Sequence, residues 1–519
     1  MALRGRRGAR LRRAARGRAG VVALAVALYL GAGLFATWPG ATHADTAFWA
    51  QRQPPLGAVA PGDHLQTGYQ LWLVGHQLEG GREPWRDPYS FRPLLEPRVN
   101  FAGWPFGLVY WPLHRVLGTV GAWNAFVLLG FVGAGGLSAL WLRELRIRRG
   151  AALAGGLAFA LAPYLQGQAS AGHLLAWTAM LLAFALFAWE RGLRSSTWWL
   201  AVAAVALASI PLSGQVHLAL GAIPFFLVYA LVRGEALAAA IGSALLATAA
   251  GVLVYVVAVR DSVGSSRSFS QVERYSAEAS DFLARGADWS EDYVFLGWAL
   301  PLLAAAGVAV LLREDRARLA AVLGLGALIP CALALGGNLP GYETLWRNLP
   351  GLHQTRVPER LMPIACLALA ALAAAAVSRL RWPGTAALVA LLLLLDLRVG
   401  IFERARADGG NRAYVALRSA GAGRFVEAPV FPPDRQEPSV YLYYVMQAPR
   451  EHPSGYSTVA PQEVDRELRR LRGALCGNVR RLGIRFLVVH GRGNTSCGGR
   501  LVEEDGPVAL YRLTSPWRE

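Results

Sequence analysis

Lysine is absent from all 519 residues, so every one of the 52 basic side chains is an arginine. Together with the abundance of alanine, glycine and leucine, this is the bias of a GC-rich genome and identifies no partner. Cysteine is sparse, with four residues. There is no P-loop, no Cys-x-x-Cys pair and no His-Glu-x-x-His segment, so the sequence gives no support to nucleotide-hydrolysing, paired-cysteine or zincin chemistry. No dinucleotide-type glycine pattern follows a convincing strand, and no internal repeat of clear period is present.

What the chain has is apolar length. It is 54% hydrophobic, above an ordinary soluble protein, which points to the membrane class. Net charge is +18 but unevenly placed: Arg4, Arg6, Arg7, Arg10, Arg12, Arg13, Arg16 and Arg18 precede the first apolar run. Such a tail holds an N-terminus in the cytoplasm and removes the case for a nucleic-acid partner. Residues 1–44 also fit a cleaved signal peptide. Their apolar stretch of about 18–19 residues is nevertheless long enough to cross a bilayer, and an uncleaved first span is expected. Spans are expected near 20–38, 120–142, 151–168, 173–189, 197–212, 215–232, 236–258, 293–312, 319–336, 360–378 and 385–399, with 104–117 as an interfacial or re-entrant helix. The fold class is thus mainly α, a polytopic bundle of about 11 spans. Each inner loop of this topology carries arginine: Arg143 to Arg149, Arg191 and Arg194, Arg233, Arg313 to Arg318, Arg379 and Arg381. Such a bias fits an N-in, C-out chain. All nine histidines fall on the outer side or at outer helix ends.

The division that follows is a basic tail 1–19, a membrane domain 20–399 with a large outer loop 39–104, and an extracytoplasmic α/β domain 400–519. In the last of these, strands are expected at 425–427, 440–444, 485–489 and 508–513, with a helix over 463–475. Cys476 and Cys497 lie there and are disulfide candidates, since an oxidising compartment permits pairing. Cys331 and Cys366 read as small buried residues of apolar helices. Three outer stretches are large enough to build a site: 39–104, 259–292 (with Arg260, Arg267, Arg274, Asp281 and Asp288) and 336–360.

Several segments match a known pattern in order. These are Gly62-Asp63, Phe159-Ala160-Leu161-Ala162-Pro163-Tyr164 ahead of Gly172-His173-Leu174, and Tyr275-Ser276-Ala277 with Asp281-Phe282-Leu283. Further on come Leu349-Pro350-Gly351 leading into Arg356-Val357-Pro358-Glu359-Arg360, then Gly455-Tyr456-Ser457, then the run Leu482 to His490. On these the chain resembles polytopic membrane glycosyltransferases of the GT-C superfamily, particularly the YfhO-like and related uncharacterised bacterial branches. The resemblance implies transfer of a sugar from a polyprenyl-phosphate donor to a lipid, glycan or protein acceptor at the outer face. It also implies an acidic residue in the first outer loop, a position that Asp63 matches. Many relatives carry a second acid beside the first, whereas here His64 follows. A divalent metal is a possible cofactor.

An inverting transfer needs a base for the acceptor's proton and cations beside the leaving phosphate. Asp63 is the candidate base and His64 its partner. The competing structural role for Asp63 is the N-cap of a helix starting at His64. Arg356 and Arg360, with Arg260, Arg267 and Arg274 as weaker candidates, are the expected phosphate ligands, because guanidinium forks match phosphate oxygens. Interfacial snorkelling is their alternative. His173, His217 and His353 at outer helix ends, and Glu79 and Asp87 in the first loop, complete the candidates. Trp72, Trp85, Trp104 and Trp111 are either sugar-stacking platforms or an interfacial belt. Two other functions compete: a transporter or flippase of a lipid-linked glycan, which would want charges deep within spans where few are found, and a non-catalytic envelope scaffold.

Overall fold

In a computed structural model, residues 2–234, 236–262, 267–286, 293–349, 351–491 and 495–513 are described, residues 2–18 and 98 by backbone alone. The side chains of the N-terminal arginines, Asp288 and Pro350 therefore lie outside the described residues. The chain is mostly helical. A basic and then apolar helix α1 (Ala2–Ala36) leads into the first loop, which holds strand β1 (Ala47–Ala50), helix α2 (Asp63–Glu79) and the short pair β2 (Arg86–Asp87) and β3 (Arg98–Val99). The bundle continues with α3 (Gly107–Glu144), α4 (Arg149–Ala160), α5 (Pro163–Ala171), α6 (Leu175–Arg194), α7 (Trp198–Leu212), α8 (Val216–Arg233) and α9 (Leu237–Val254). After the short α10 (Phe269–Arg274) come α11 (Ala299–Arg313), α12 (Ala317–Ala334), the short α13 (Tyr342–Asn348), α14 (Met362–Arg379) and α15 (Thr385–Asp396).

Among the described residues six helices are long and apolar enough to cross a membrane: Ala19–Ala36, Gly107–Glu144, Val216–Arg233, Leu237–Val259, Ala317–Ala334 and Pro358–Arg379. Three shorter apolar helices accompany them, Trp198–Leu212, Ala299–Arg313 and Thr385–Asp396. Helix α14 is the spine: every residue from Met362 to Val377 is buried. Its alanine-rich surface lets neighbours come close, as small residues do between apolar helices. At Gly307 of α11 an added Cβ would fall 1.9 Å from the Leu372 carbonyl oxygen.

Two breaks have local causes. Helix α3 turns at Gly118, which holds a positive φ of 68°, so the segment from 107 is separated from the apolar run that follows. The expected span 151–168 is divided into α4 and α5. Pro163 offers no N–H and forces Ala162 out of helical geometry. The carbonyl freed at Leu161 is taken by the buried Gln166 side chain at 2.6 Å, which also donates to Leu397 O at 2.8 Å. A side chain that satisfies an interrupted backbone is what allows such a break inside an apolar bundle.

On the predicted inner side, Glu190 of α6 is fully buried and collects three helices. Arg233 of α8 lies 2.7 Å from its carboxylate, Arg194 lies 3.3 Å away, and the Tyr229 hydroxyl donates to it at 2.6 Å. The indole of Trp141 donates in turn to Tyr229 at 3.1 Å.

The last part of the chain carries β4 (Glu403–Arg406), α16 (Arg412–Ser419), β5 (Arg424–Ala428), α17 (Ser439–Val445), α18 (Gln462–Gly473), α19 (Leu475–Arg481), β6 (Ile484–His490), β7 (Arg500–Asp505) and β8 (Val508–Arg512). Four strands form a small sheet in the order β5-β6-β8-β7, with β5 parallel to β6 and the other pairs antiparallel. Cys476 of α19 and Cys497 are disulfide-bonded. Residues 439–445 form a helix where a strand is expected at 440–444. All seven are buried, and a run that is apolar on every side has no period to separate the two states. Strand β4 pairs antiparallel with β1, Phe48 opposite Ala405, and so fastens this part to the first loop. Asn124 of α3 secures the same loop: it accepts from Trp49 N at 2.9 Å and donates to Ala44 O and Ala47 O at 2.8 Å each.

Replacing Glu190 with Ala leaves the half-buried Arg233 without its partner, and the cost is expected below the about 3–5 kcal/mol of a fully buried pair. The expected outcome is a marked fall in melting temperature in detergent, measured by intrinsic fluorescence. A melt equal to wild type would show that the cluster holds nothing together.

Candidate active site

The start of α2 is seated on the turn between α5 and α6. Gly172, with φ +90°, approaches so closely that a Cβ there would lie 2.1 Å from the backbone nitrogen of His64. Its carbonyl accepts from the Thr67 hydroxyl at 2.7 Å. The helix begins at Asp63 itself, with Gly62 at the cap position, so the Asp63 side chain is free of the capping role. Instead it lies in the first turn, at the positive end of the helix dipole.

Three donors from distant parts of the chain converge on this carboxylate. His173 Nε2 lies 2.7 Å from Oδ2. The Tyr456 hydroxyl donates to Oδ1 at 2.5 Å and Gln436 Nε2 donates to the same oxygen at 3.1 Å. His173 is oriented in turn through Nδ1, 2.8 Å from Gln168 Oε1. Burial alone would raise the Asp63 pKa. The bond and charge of His173, with the Tyr456 and Gln436 bonds, outweigh it and bring it down to about 2. Burial and the Asp63 charge together keep the Tyr456 hydroxyl protonated, well above its ordinary range.

His64 is not the partner of Asp63. Successive helical residues face different ways, and the His64 ring points inward between Phe48 and Trp123, with centroids 5.1 and 6.1 Å away. Burial pushes its imidazole down to about 4, against the pull of the Asp63 charge. It is therefore neutral at physiological pH.

Asp63 and His173 open onto a cavity of about 890 Å³ that also takes in Arg267, Arg356 and Arg360, together with His217 and His353. One wall is apolar and comes from α8 and α9, including Ile223, Ala247, Gly251 and Val252. The three arginines are near enough to press on one another: burial, then the charges of Arg356 and Arg360, lower Arg267 to about 10. Arg356 also stands over the Tyr275 ring at 5.4 Å, and its charge acts on the Tyr456 hydroxyl. The His217 Nε2 lies 3.3 Å from the Gln354 carbonyl.

Other candidates fall elsewhere. Arg274 does not line the cavity and lies over Tyr275 at 5.9 Å. Glu79 pairs with Arg115 at 3.2 Å at the far end of α2. Asp87 does line the cavity, but its Oδ1 is taken by the Tyr69 hydroxyl at 2.8 Å and by the backbone of Tyr89 and Ser90 at 2.9 and 3.2 Å. Trp72, Trp85, Trp104 and Trp111 are absent from the lining. Trp72 stacks on His76 at 4.3 Å, Trp111 on His114 at 5.8 Å, and Trp85 meets Trp104 edge-on at 6.5 Å. Among the described residues no three His, Cys, Asp or Glu side chains gather as a metal site. Sequence reasoning did not find Gln168 or Gln436. No local signal marks them, because Gln436 reaches Asp63 across 373 residues.

No protein-family model matches the chain, and no curated protein matches it. The backbone is similar to that of the arabinofuranosyltransferase AftD from Mycobacteria, with a TM-score of 0.57 and 18% identity over 95% of this chain. This chain spans 40% of the length of AftD. It is similar also to ArnT from Cupriavidus metallidurans bound to undecaprenyl phosphate, with a TM-score of 0.50 and 14% identity over 95% of this chain and 97% of that one. These likenesses show the fold alone, one shared with AftD and ArnT.

A carboxylate held below its unfolded value contributes stability above that value and loses it as pH falls through the folded one. For Asp63 the window runs from about pH 4, the ordinary value, down to about 2. The stability difference between wild type and Asp63→Asn is therefore expected to be constant above the window and to shrink across it, read from melting temperatures in detergent. A difference that titrates near neutrality would contradict the ionised Asp63.

Proposed function

We propose that this chain is a membrane glycosyltransferase that moves a sugar from a polyprenyl-phosphate donor to an envelope acceptor at the outer face. The observation that carries this reading is a single cavity in which one ionised carboxylate, Asp63, shares space with a cluster of three arginines and an apolar wall. A proton acceptor, a phosphate-sized concentration of positive charge and a surface for hydrocarbon are the parts that lipid-linked sugar transfer requires. ArnT, similar in fold, is described as bound to undecaprenyl phosphate.

In the proposed reaction Asp63 accepts the proton of the acceptor hydroxyl as that oxygen attacks the anomeric carbon. A new glycosidic C–O bond forms, the C–O bond to phosphate breaks, and the electron pair leaves with the lipid phosphate. Arg356 and Arg360 take up the charge that develops on the leaving oxygen, with Arg267 beside them. His173 is a positioning residue. Its Nε2 holds one carboxylate oxygen while Tyr456 and Gln436 hold the other, and Gln168 fixes the ring.

The setting proposed for this chemistry is a multi-pass cell-membrane protein of about 11 spans, N-in and C-out. Residues 1–19 form its basic cytoplasmic tail, 20–399 its membrane domain and 400–519 its extracytoplasmic domain. The arginine bias of the inner loops supports that orientation. Within the GT-C fold, the ordered segments from Gly62-Asp63 to His490 support the YfhO-like or a related branch.

The test is the glycan and lipid-linked sugar content of a deletion strain, by mass spectrometry, after complementation. Wild type is expected to restore a truncated glycan. Asp63→Asn should lower transfer by about 10²- to 10⁴-fold, the usual worth of a positioned base. Arg356→Ala and Arg360→Ala should let the lipid-linked donor accumulate, and Arg356→Lys should restore transfer only partly, because an ammonium lacks the planar fork. Full transfer by Asp63→Asn would overturn the proposal.

A further inference from the structure

We infer that Gln436 holds the place of the acceptor hydroxyl, and that the acceptor reaches Asp63 from the face covered by residues 434–437. The inference rests on the transferase reading and adds a gate to its site. An acceptor that gives its proton to Asp63 must first come within hydrogen-bond reach of the carboxylate. Three donors already stand there: His173 at 2.7 Å from Oδ2, with Tyr456 at 2.5 Å and Gln436 at 3.1 Å from Oδ1. The acceptor competes with them, and the three are not held alike.

His173 is fixed through its other nitrogen, 2.8 Å from Gln168. Tyr456 is only 7% exposed. Its carbonyl accepts from Gln66 Nε2 at 2.6 Å. Gly455 before it lies so close to Phe91 that a Cβ would come within 2.8 Å of the ring. Displacing the Tyr456 hydroxyl would strand a buried polar group, which is costly. Gln436 differs on each count. It is exposed and makes the longest of the three bonds. It is also absent from the cavity lining, which includes Asp63, His173 and Tyr456. Its amide therefore meets the carboxylate from outside the cavity, where water can replace the bond it loses.

The segment that carries Gln436 is pinned at its ends rather than in its middle. The Pro433 carbonyl accepts from Ser457 N at 2.7 Å, and Gly62 N donates to Ser439 Oγ at 3.0 Å. Between these ties Asp434, Arg435 and Gln436 are exposed, and Arg435 pairs with Glu437 of the same segment at 2.9 Å. Among the described side chains of 434–437, Gln436 alone makes a hydrogen bond beyond the segment. Replacing its N–H on Oδ1 by an acceptor O–H changes what the carboxylate can do. The amide does not give up its proton. The hydroxyl does, as its oxygen attacks the anomeric carbon, and the proton comes to rest on Oδ1. The lipid-linked donor occupies the cavity, so the two substrates meet at Asp63 without sharing an entrance.

The experiment uses the full chain in detergent. The probe is a water-soluble carbodiimide with a small amine, and the readout is amide formation at Asp63 by peptide mass spectrometry. Gln436→Ala should speed that labelling about tenfold, near the worth of one hydrogen bond. Tyr456→Phe is the comparison. Losing either donor eases protonation of Asp63, which the reagent requires, and the shorter Tyr456 bond would then weigh more. Access puts Gln436→Ala ahead, whereas protonation alone puts Tyr456→Phe ahead and overturns the inference. Wild type labelled as fast as a Gln436→Ala variant of equal melting temperature also overturns it. In the complemented deletion strain, Gln436→Arg should lower transfer about tenfold or more, because its charge-assisted bond to Asp63 resists displacement. Gln436→Ala should stay well above Asp63→Asn. Wild-type transfer by Gln436→Arg, or a fall of Gln436→Ala to the Asp63→Asn level, would count against the gate. The expected labelling order with no glycan altered by the deletion would instead count against the transferase reading alone.

Discussion

The contact on which the site depends is the seating of the start of α2 on the Gly172 turn. The positive φ of Gly172 and its missing Cβ bring two backbones to a distance that any side chain would prevent. That closeness puts Asp63 and His173, separated by 110 residues, within 2.7 Å. The break between α4 and α5 serves the same end, because α5 carries Gln168 and Gly172 to the place where α2 begins. Pro163 breaks the helix and Gln166 satisfies the carbonyl it frees, so the irregularity is tolerated in apolar surroundings.

Around that contact the molecule is divided by electrostatics. One carboxylate is kept ionised by three donors, while three guanidinium groups crowd together beside an apolar wall. Burying like charges near one another is costly without a counter-ion. Burial, and then the charges of Arg356 and Arg360, lower the affinity of Arg267 for a proton. The region after α15 is not an appendage to this arrangement, since Tyr456 and Gln436 both reach Asp63 and β4 pairs with β1.

Much of the helical frame was legible in the sequence because apolar length is a strong signal. The helices at 198–212, 216–233, 317–334 and 362–379 fall within a few residues of their expected places. Strands β5, β6 and β8 follow β-branched and aromatic runs, and Cys476 and Cys497 are joined. The failures have physical reasons. Residues 151–168 read as one span because hydropathy does not register the missing N–H of Pro163. Residues 440–444 read as a strand because burial on all sides erases periodicity.

At the site, the sequence by itself determined which residue types were available. An acid lies in the long loop after the first apolar helix, arginines precede the helix at 362, and histidines are spread from residue 43 to residue 490. Only the tertiary structure decided the pairings. Adjacency suggested His64 for Asp63, but the helical turn between neighbours sends His64 into the core and leaves Asp63 to His173. Arg274 and Arg267 are seven residues apart and alike in composition, yet only Arg267 reaches the cavity. Side-chain chemistry is written locally, but the distances that make it act are set by helices meeting across hundreds of residues.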